Sequence, residues 1–105
     1  MIKANHLVYF ACVVTHRSFS AAAKEVRVSK STLSRAVIDL EQELGASLLT
    51  RTSRRVDVTP AGEQLYTRCL AVYNAVLAAQ KALENIEAER DITPTGQWET
   101  SAVDQ

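Results

Sequence analysis

"SKSTLSRAVIDLEQELG", residues 29–45, carries the pattern that decides the fold. Ser29 has the short hydroxyl side chain that caps a helix start, and Gly45 is the residue type that most readily ends one. Between them Leu33, Val37, Leu40 and Leu44 recur at helical spacing and predict a buried stripe, with Ala36 on the same side. With that stripe turned inward, Ser31, Arg35 and Ile38 point the opposite way and Ser34 lies at the edge. The outward face of the first two turns is therefore small, hydroxylated and cationic. Small side chains permit close approach, hydroxyls bond phosphates or base edges, and Arg35 can address guanine or phosphate. The helix start adds backbone N–H groups and the positive end of the helix dipole, both favourable to phosphate. That is the profile of a recognition helix whose N-terminal half enters a DNA major groove. Capping and solvation explain the same residues when the helix is taken alone, so the flanking segments have to decide.

Upstream, Leu7, Phe10, Ala11 and Val14 fall at i, i+3, i+4 and i+7 and predict a first helix that Asn5 can cap. Phe19, Ala22, Ala23 and Val26 repeat the spacing in a short second helix, with Ser18 as its N-cap. Downstream, "LLTRTSRRVDVT", residues 48–59, carries apolar Leu48 and Leu49, a polar basic tip, and then Val56 and Val58 in strand alternation around Asp57. This predicts a small β-hairpin whose tip, Thr52-Ser53-Arg54-Arg55, is hydroxylated and basic. Three short helices followed by a basic hairpin make a winged helix-turn-helix. The wing tip can follow the phosphate backbone or enter a minor groove, where arginine is favoured electrostatically.

Composition agrees. A chain of 105 residues with an apolar fraction of 47% suits one small folded domain. The net charge of zero conceals an asymmetry: residues 1–60 hold nine cations against five anions, and residues 61–105 hold three against seven. A basic half joined to an acidic half directs only the first toward a polyanion. No run approaches the roughly 18 apolar residues of a membrane span, and the N-terminal apolar run is interrupted at its start by Asn5 and His6 with no small-residue cleavage site after it, unlike a signal peptide. Cys12 and Cys69 lie far apart without CxxC or Cys/His clustering, which argues against a metal site and for reduced thiols in a cytoplasmic protein. No cofactor is expected.

From about Asn5 to Glu89 the sequence resembles the N-terminal DNA-binding domain and linker helix of LysR-type transcriptional regulators. The resemblance rests on "SFSAAAKEV" (18–26) and "VSKSTLSRAVIDLEQELGASLLTRTSRRVDVTPAGEQLY" (28–66), above all "LSRAVIDLEQELG" and "LTRTSRRVDVTPAG" in their order and spacing. "LLTRTSRR" (48–55) is similar to the branch that includes the CrgA-type regulators. Two positions depart from the family: Lys30 stands where glutamine is usual and commonly contacts bases, and Leu49 stands where phenylalanine is usual. Together with the helix face, the resemblance makes Ser20, Ser29, Lys30, Ser31, Thr32, Ser34, Arg35, Arg54 and Arg55 the candidate contacts to double-stranded DNA.

The last segment begins at Thr59-Pro60, with Pro60 suited to a first helical position and Glu63 near the positive dipole end. Leu65, Cys69, Val72, Val76, Ala79, Leu83 and Ile86 then alternate in steps of four and three, an a/d seam over about three heptads. The stripe can pack against the chain's own three-helix unit over its first turns, but the remainder has nothing else to cover it unless a partner does. In the family the corresponding linker helices pair antiparallel in a dimer, so the resemblance implies a homodimer. The expected organisation is a winged helix-turn-helix over 1–59, a dimerisation helix over 60–90 and a flexible tail over 91–105. Within the tail, "TGQWETSAV" (95–103) is similar to the start of the family's effector domain; the expectation is an excised or truncated regulator that binds no small-molecule inducer. A second reading stays open: a truncated interaction module that pairs with a longer relative through the linker helix and modulates it. An enzyme has only His6, His16, Cys12 and Cys69 to draw on, with no paired carboxylate or glycine-rich loop beside them.

Overall fold

The structure, a computed structural model, describes residues 1–52 and 55–92, the last three by backbone alone. In chain order the elements are α1 (Ala4–His16), α2 (Phe19–Val26), α3 (Lys30–Leu44), β1 (Leu49–Arg51), β2 (Val56–Val58) and α4 (Pro60–Ile92). This is the expected mainly α winged helix-turn-helix with a long C-terminal helix.

Side-chain capping sets the start of three helices. Ser18 Oγ accepts from Ala21 N at 3.1 Å and Ser29 Oγ from Thr32 N at 3.0 Å. Thr59 Oγ1 accepts from Gly62 N at 3.0 Å at the head of α4, where Pro60 occupies the first helical position. The expected Asn5 cap does not form. Helix α1 starts two residues earlier, its N-cap is Lys3 without a side-chain bond, and Asn5 lies exposed within the first turn. Three helices end in a left-handed residue, and only one of these is the expected glycine. Gly45 closes α3 with φ 67°, whereas Arg17 (φ 53°) and Arg27 (φ 59°) close α1 and α2. A cation at a helix C-terminus meets the negative dipole end, which offsets part of the cost of that backbone region.

The first compact unit runs from Met1 to Asn74. Phe10, Ala11, Cys12, Val13 and Val14 are consecutive and all buried, so α1 is covered on more than one face and acts as the central helix. Phe19, Ala22 and Ala23 of α2 and Leu33, Val37 and Leu40 of α3 pack into the same core. Leu48 and Leu49 from the hairpin and Cys69 and Tyr73 from α4 complete it. Leu44, expected in the buried stripe of α3, is 38% exposed because it falls in the last turn, past the end of the core.

The hairpin pairs antiparallel in the register Leu49↔Val58, Thr50↔Asp57, Arg51↔Val56. Its position against α3 is fixed by polar bonds around Leu48. Glu41, in the last turns of α3, accepts Leu48 N at 2.8 Å and Leu49 N at 3.2 Å through Oε2. From the other side Thr59 N donates to Leu48 O at 3.0 Å, and Thr59 Oγ1 donates to Ser47 O at 2.6 Å. Helix α4 leaves this junction at once, and Gly62 lies flush against it. A Cβ on Gly62 would collide with Leu48 O and stand 2.7 Å from Val58 Cγ1.

Gly62→Ala is therefore expected to destabilise the domain by about 1–3 kcal/mol through overpacking, although alanine is the better helix former. Thermal unfolding of the two chains measures it. An unchanged or raised midpoint would mean that the junction opens without cost.

Candidate nucleic-acid interface

The turn Arg27-Val28-Ser29 sets α2 and α3 in the helix-turn-helix relation, with Val28 N donating to Ala23 O at 3.1 Å. Leu33, Ala36, Val37 and Leu40 are buried, which fixes the rotation of α3 about its axis. Lys30, Ser31, Thr32 and Arg35 are exposed in consequence, and Ser34 is half-buried. Ser20 is exposed on α2. The candidate contacts on these two helices thus lie at the surface as read from the sequence.

Their polar atoms are not equally available. Ser29 is the N-cap of α3 and also donates its own proton to Thr32 Oγ1 at 2.8 Å, so its hydroxyl is used within the helix start. The Arg35 guanidinium lies 3.6 Å from Asp39 one turn on, and the two side chains are 70% and 40% exposed. An exposed i,i+4 pair of this kind is worth a few tenths of a kcal/mol and yields readily to a stronger anion.

At the wing, Thr52 and Arg55 close the turn: Thr52 N donates to Arg55 O at 3.0 Å, and Arg55 N donates to Thr52 Oγ1 at 3.1 Å. Arg55 is exposed and pairs with Asp57 at 3.1 Å. Arg54, the other candidate wing contact, lies outside the described residues, as does Ser53.

One basic residue was not singled out from the sequence. Arg51, at the end of β1, donates from Nη1 to Ser34 Oγ at 2.8 Å, and its guanidinium carbon stands 4.2 Å from the centroid of the Phe19 ring. In sequence Arg51 is 17 residues from Ser34 and no local spacing connects it to either partner.

The candidate dimer seam divides between two uses. Cys69 is fully buried within the chain's own core and Leu65 packs against that core, because the first turns of α4 complete the trihelical unit. Cys69 therefore faces inward and is not open to a partner. Tyr73, absent from the predicted seam, takes the next inward position at 7% exposure, within 3.9 Å of Cys12 Sγ. Val72 is half-buried. The second compact unit begins at Ala75, and in it Val76 (37%), Ala79, Leu83 (55%) and Ile86 (44%) are exposed, with Leu77 (38%) beside them.

Both thiols are poor nucleophiles. Burial pushes Cys69 up to about 11, and burial is also the main cause that raises Cys12. Among the described residues no group of His, Cys, Asp and Glu is arranged to hold a metal ion, and no helix is long and apolar enough to cross a membrane.

Residues 4–63 match the family model described as bacterial regulatory helix-turn-helix protein, lysR family. PtxR, a transcriptional regulator of Pseudomonas aeruginosa, is 48% identical over 65 residues, which cover 62% of this chain and 21% of PtxR. CrgA of Neisseria meningitidis is 36% identical over 78 residues, 74% of this chain and 26% of CrgA. The chain spans roughly a fifth to a third of the curated relatives it matches. Among solved structures, the BenM DNA-binding domain in complex with catB site 1 DNA superposes with a TM-score of 0.66 at 35% identity. That match covers 81% of this chain and 96% of the BenM domain. With more than half of its length matched, this chain belongs to the lysR family of bacterial helix-turn-helix regulators.

Proposed function

We propose that the chain binds double-stranded DNA sequence-specifically as a homodimer and acts in transcription regulation in the cytoplasm, by binding rather than as an enzyme. One observation carries this reading: the exposed, hydroxylated and cationic first turns of α3 stand beside a basic wing, on a fold shared with a BenM domain solved on DNA. Residues 1–59, with the first turns of α4 completing their core, form the DNA-binding unit; the dimerisation helix expected over 60–90 runs on to Ile92, and the rest of the expected 91–105 tail lies outside the described residues. In this arrangement α3 enters the major groove, where Lys30, Ser31, Ser34 and Arg35 meet the duplex. Ser20 and Thr32 contribute hydroxyls, and Ser29 orients the helix start. Arg55, with Arg54 beside it in sequence, supplies phosphate or minor-groove attraction.

Arg35 is the largest single contributor. Its guanidinium can bridge guanine O6 and N7, and the exposed Asp39 pair is released for that contact. Arg35→Ala is expected to weaken binding to the best site by about 1–3 kcal/mol. Fluorescence anisotropy on a selected duplex reads the loss, and unchanged affinity removes Arg35 from the site.

Lys30 tunes the preference. Lysine has donors only and favours guanine acceptors or phosphate, whereas glutamine pairs with adenine through donor and acceptor together. Lys30→Gln is expected to shift the half-site recovered by in vitro selection. Identical selected sequences would place Lys30 on the backbone.

Dimerisation rests on the exposed apolar side chains of the second unit, Val76, Leu83 and Ile86, with Ala79 between them and Val72 at the boundary. Each large apolar side chain contributes roughly 1.5–3 kcal/mol when fully buried, and a monomer would leave the stripe in water. Two recognition helices on one dimer make the second half-site contact effectively intramolecular. A charge at Val76, as in Val76→Glu, is expected to yield monomers by light scattering at micromolar concentration and to lose most specific binding. A monomeric mass for the unmodified chain with full operator binding overturns the dimer. An unmodified chain that dimerises but does not shift DNA favours the alternative, an interaction module that pairs with a longer relative.

A further inference from the structure

Arg51 plays no part in the contacts assigned above, yet its side chain bonds to one helix of the helix-turn-helix and lies over a ring of the other. It reaches from β1 to the Ser34 hydroxyl in α3 at 2.8 Å and to the Phe19 ring at the start of α2 at 4.2 Å. Phe19 is 7% exposed, so its ring is a fixed platform for the guanidinium rather than a mobile surface group.

We infer that Arg51 is a positioning residue: it sets the Ser34 hydroxyl as a hydrogen-bond donor toward an acceptor atom on duplex DNA. The inference deepens the DNA-binding reading and rests on it. A serine hydroxyl has one O–H and two lone pairs. Arg51 occupies one lone pair, and its positive charge beside the oxygen disfavours a second donor while it polarises the O–H. What Ser34 presents is then a donor. Its partners are acceptors, either a phosphate oxygen or a base-edge atom such as guanine O6 or N7, adenine N7 or thymine O4, and not the amino group of cytosine. The adjacent cation does not compete for the serine: Arg35 lies 3.6 Å from Asp39 in the free chain and turns to guanine on DNA.

The arrangement needs arginine. Only a planar, delocalised guanidinium lies flat on an aromatic ring while an edge N–H reaches a hydroxyl; a lysine ammonium keeps the charge but not both contacts. Arg51→Lys therefore separates geometry from charge.

Anisotropy titrations of the full chain against a selected half-site duplex and a random duplex, at several salt concentrations, test the inference with Arg51→Lys, Ser34→Ala and the double variant. Each single variant is expected to weaken binding about fivefold, the scale of one hydrogen bond. The double variant should be no weaker than the worse single, as required when one residue acts through the other. The salt slope of Arg51→Lys should match that of the unmodified chain, because the charge is retained. A loss confined to the selected duplex identifies a base edge as the acceptor, and an equal loss on both duplexes identifies phosphate. Arg51→Lys binding as tightly as the unmodified chain, or losses that multiply in the double variant, overturns the role of Arg51 and leaves DNA binding standing. An unmodified chain with no salt-dependent binding to either duplex overturns the DNA-binding reading itself, and this inference falls with it.

Discussion

The backbone of Leu48 is the constraint on which the arrangement depends. Its side chain is 1% exposed in the core, its N–H is taken by the Glu41 carboxylate, and its carbonyl is taken by Thr59 N–H. One residue thereby joins the end of α3, the root of the wing and the start of α4. A buried backbone group without such a partner costs on the order of 1–3 kcal/mol, so these bonds specify position as well as adding stability. Gly62 has no room for a side chain because the same carbonyl lies against it. The wing is held from its base, which leaves its tip free to be polar and basic.

The same economy governs α3. Four buried side chains fix its rotation, and every candidate contact on its outer face is exposed or half-exposed as a result. Three hydroxyls near its start divide into two kinds. Those of Ser29 and Thr32 bond each other and the backbone, and they build the end of the helix. That of Ser34 bonds across to the wing through Arg51. On the proposed function, Ser29 orients the helix start and the Ser34 hydroxyl is oriented toward DNA.

Helix α4 serves two masters along its length. Up to Tyr73 its inward residues, Leu65, Cys69 and Tyr73, belong to the core of the first unit. From Ala75 onward the described side chains are exposed, large apolar ones among them. The change of use explains why a single heptad seam through residues 65–86 describes the helix only in part: spacing records which residues share a stripe, not what covers each portion of it.

The sequence by itself determined the elements whose causes are local. Ser18, Ser29 and Thr59 cap, Gly45 stops, Pro60 starts, and the stripe of Leu33, Ala36, Val37 and Leu40 rotates α3 correctly, because each effect acts within one or two helical turns. The basic outer face of α3 and the hairpin were legible for the same reason. Tertiary structure decided what depends on residues distant in the chain. Arg17 and Arg27 end helices where no glycine announces a stop, and the turns between packed helices impose their left-handed backbone. Cys69 turned inward and Leu44 outward because the extent of the core, not helical spacing, sets which members of a stripe are covered. Arg51 had no local signature, since its ring platform and its hydroxyl partner come from two helices brought beside β1 only by folding.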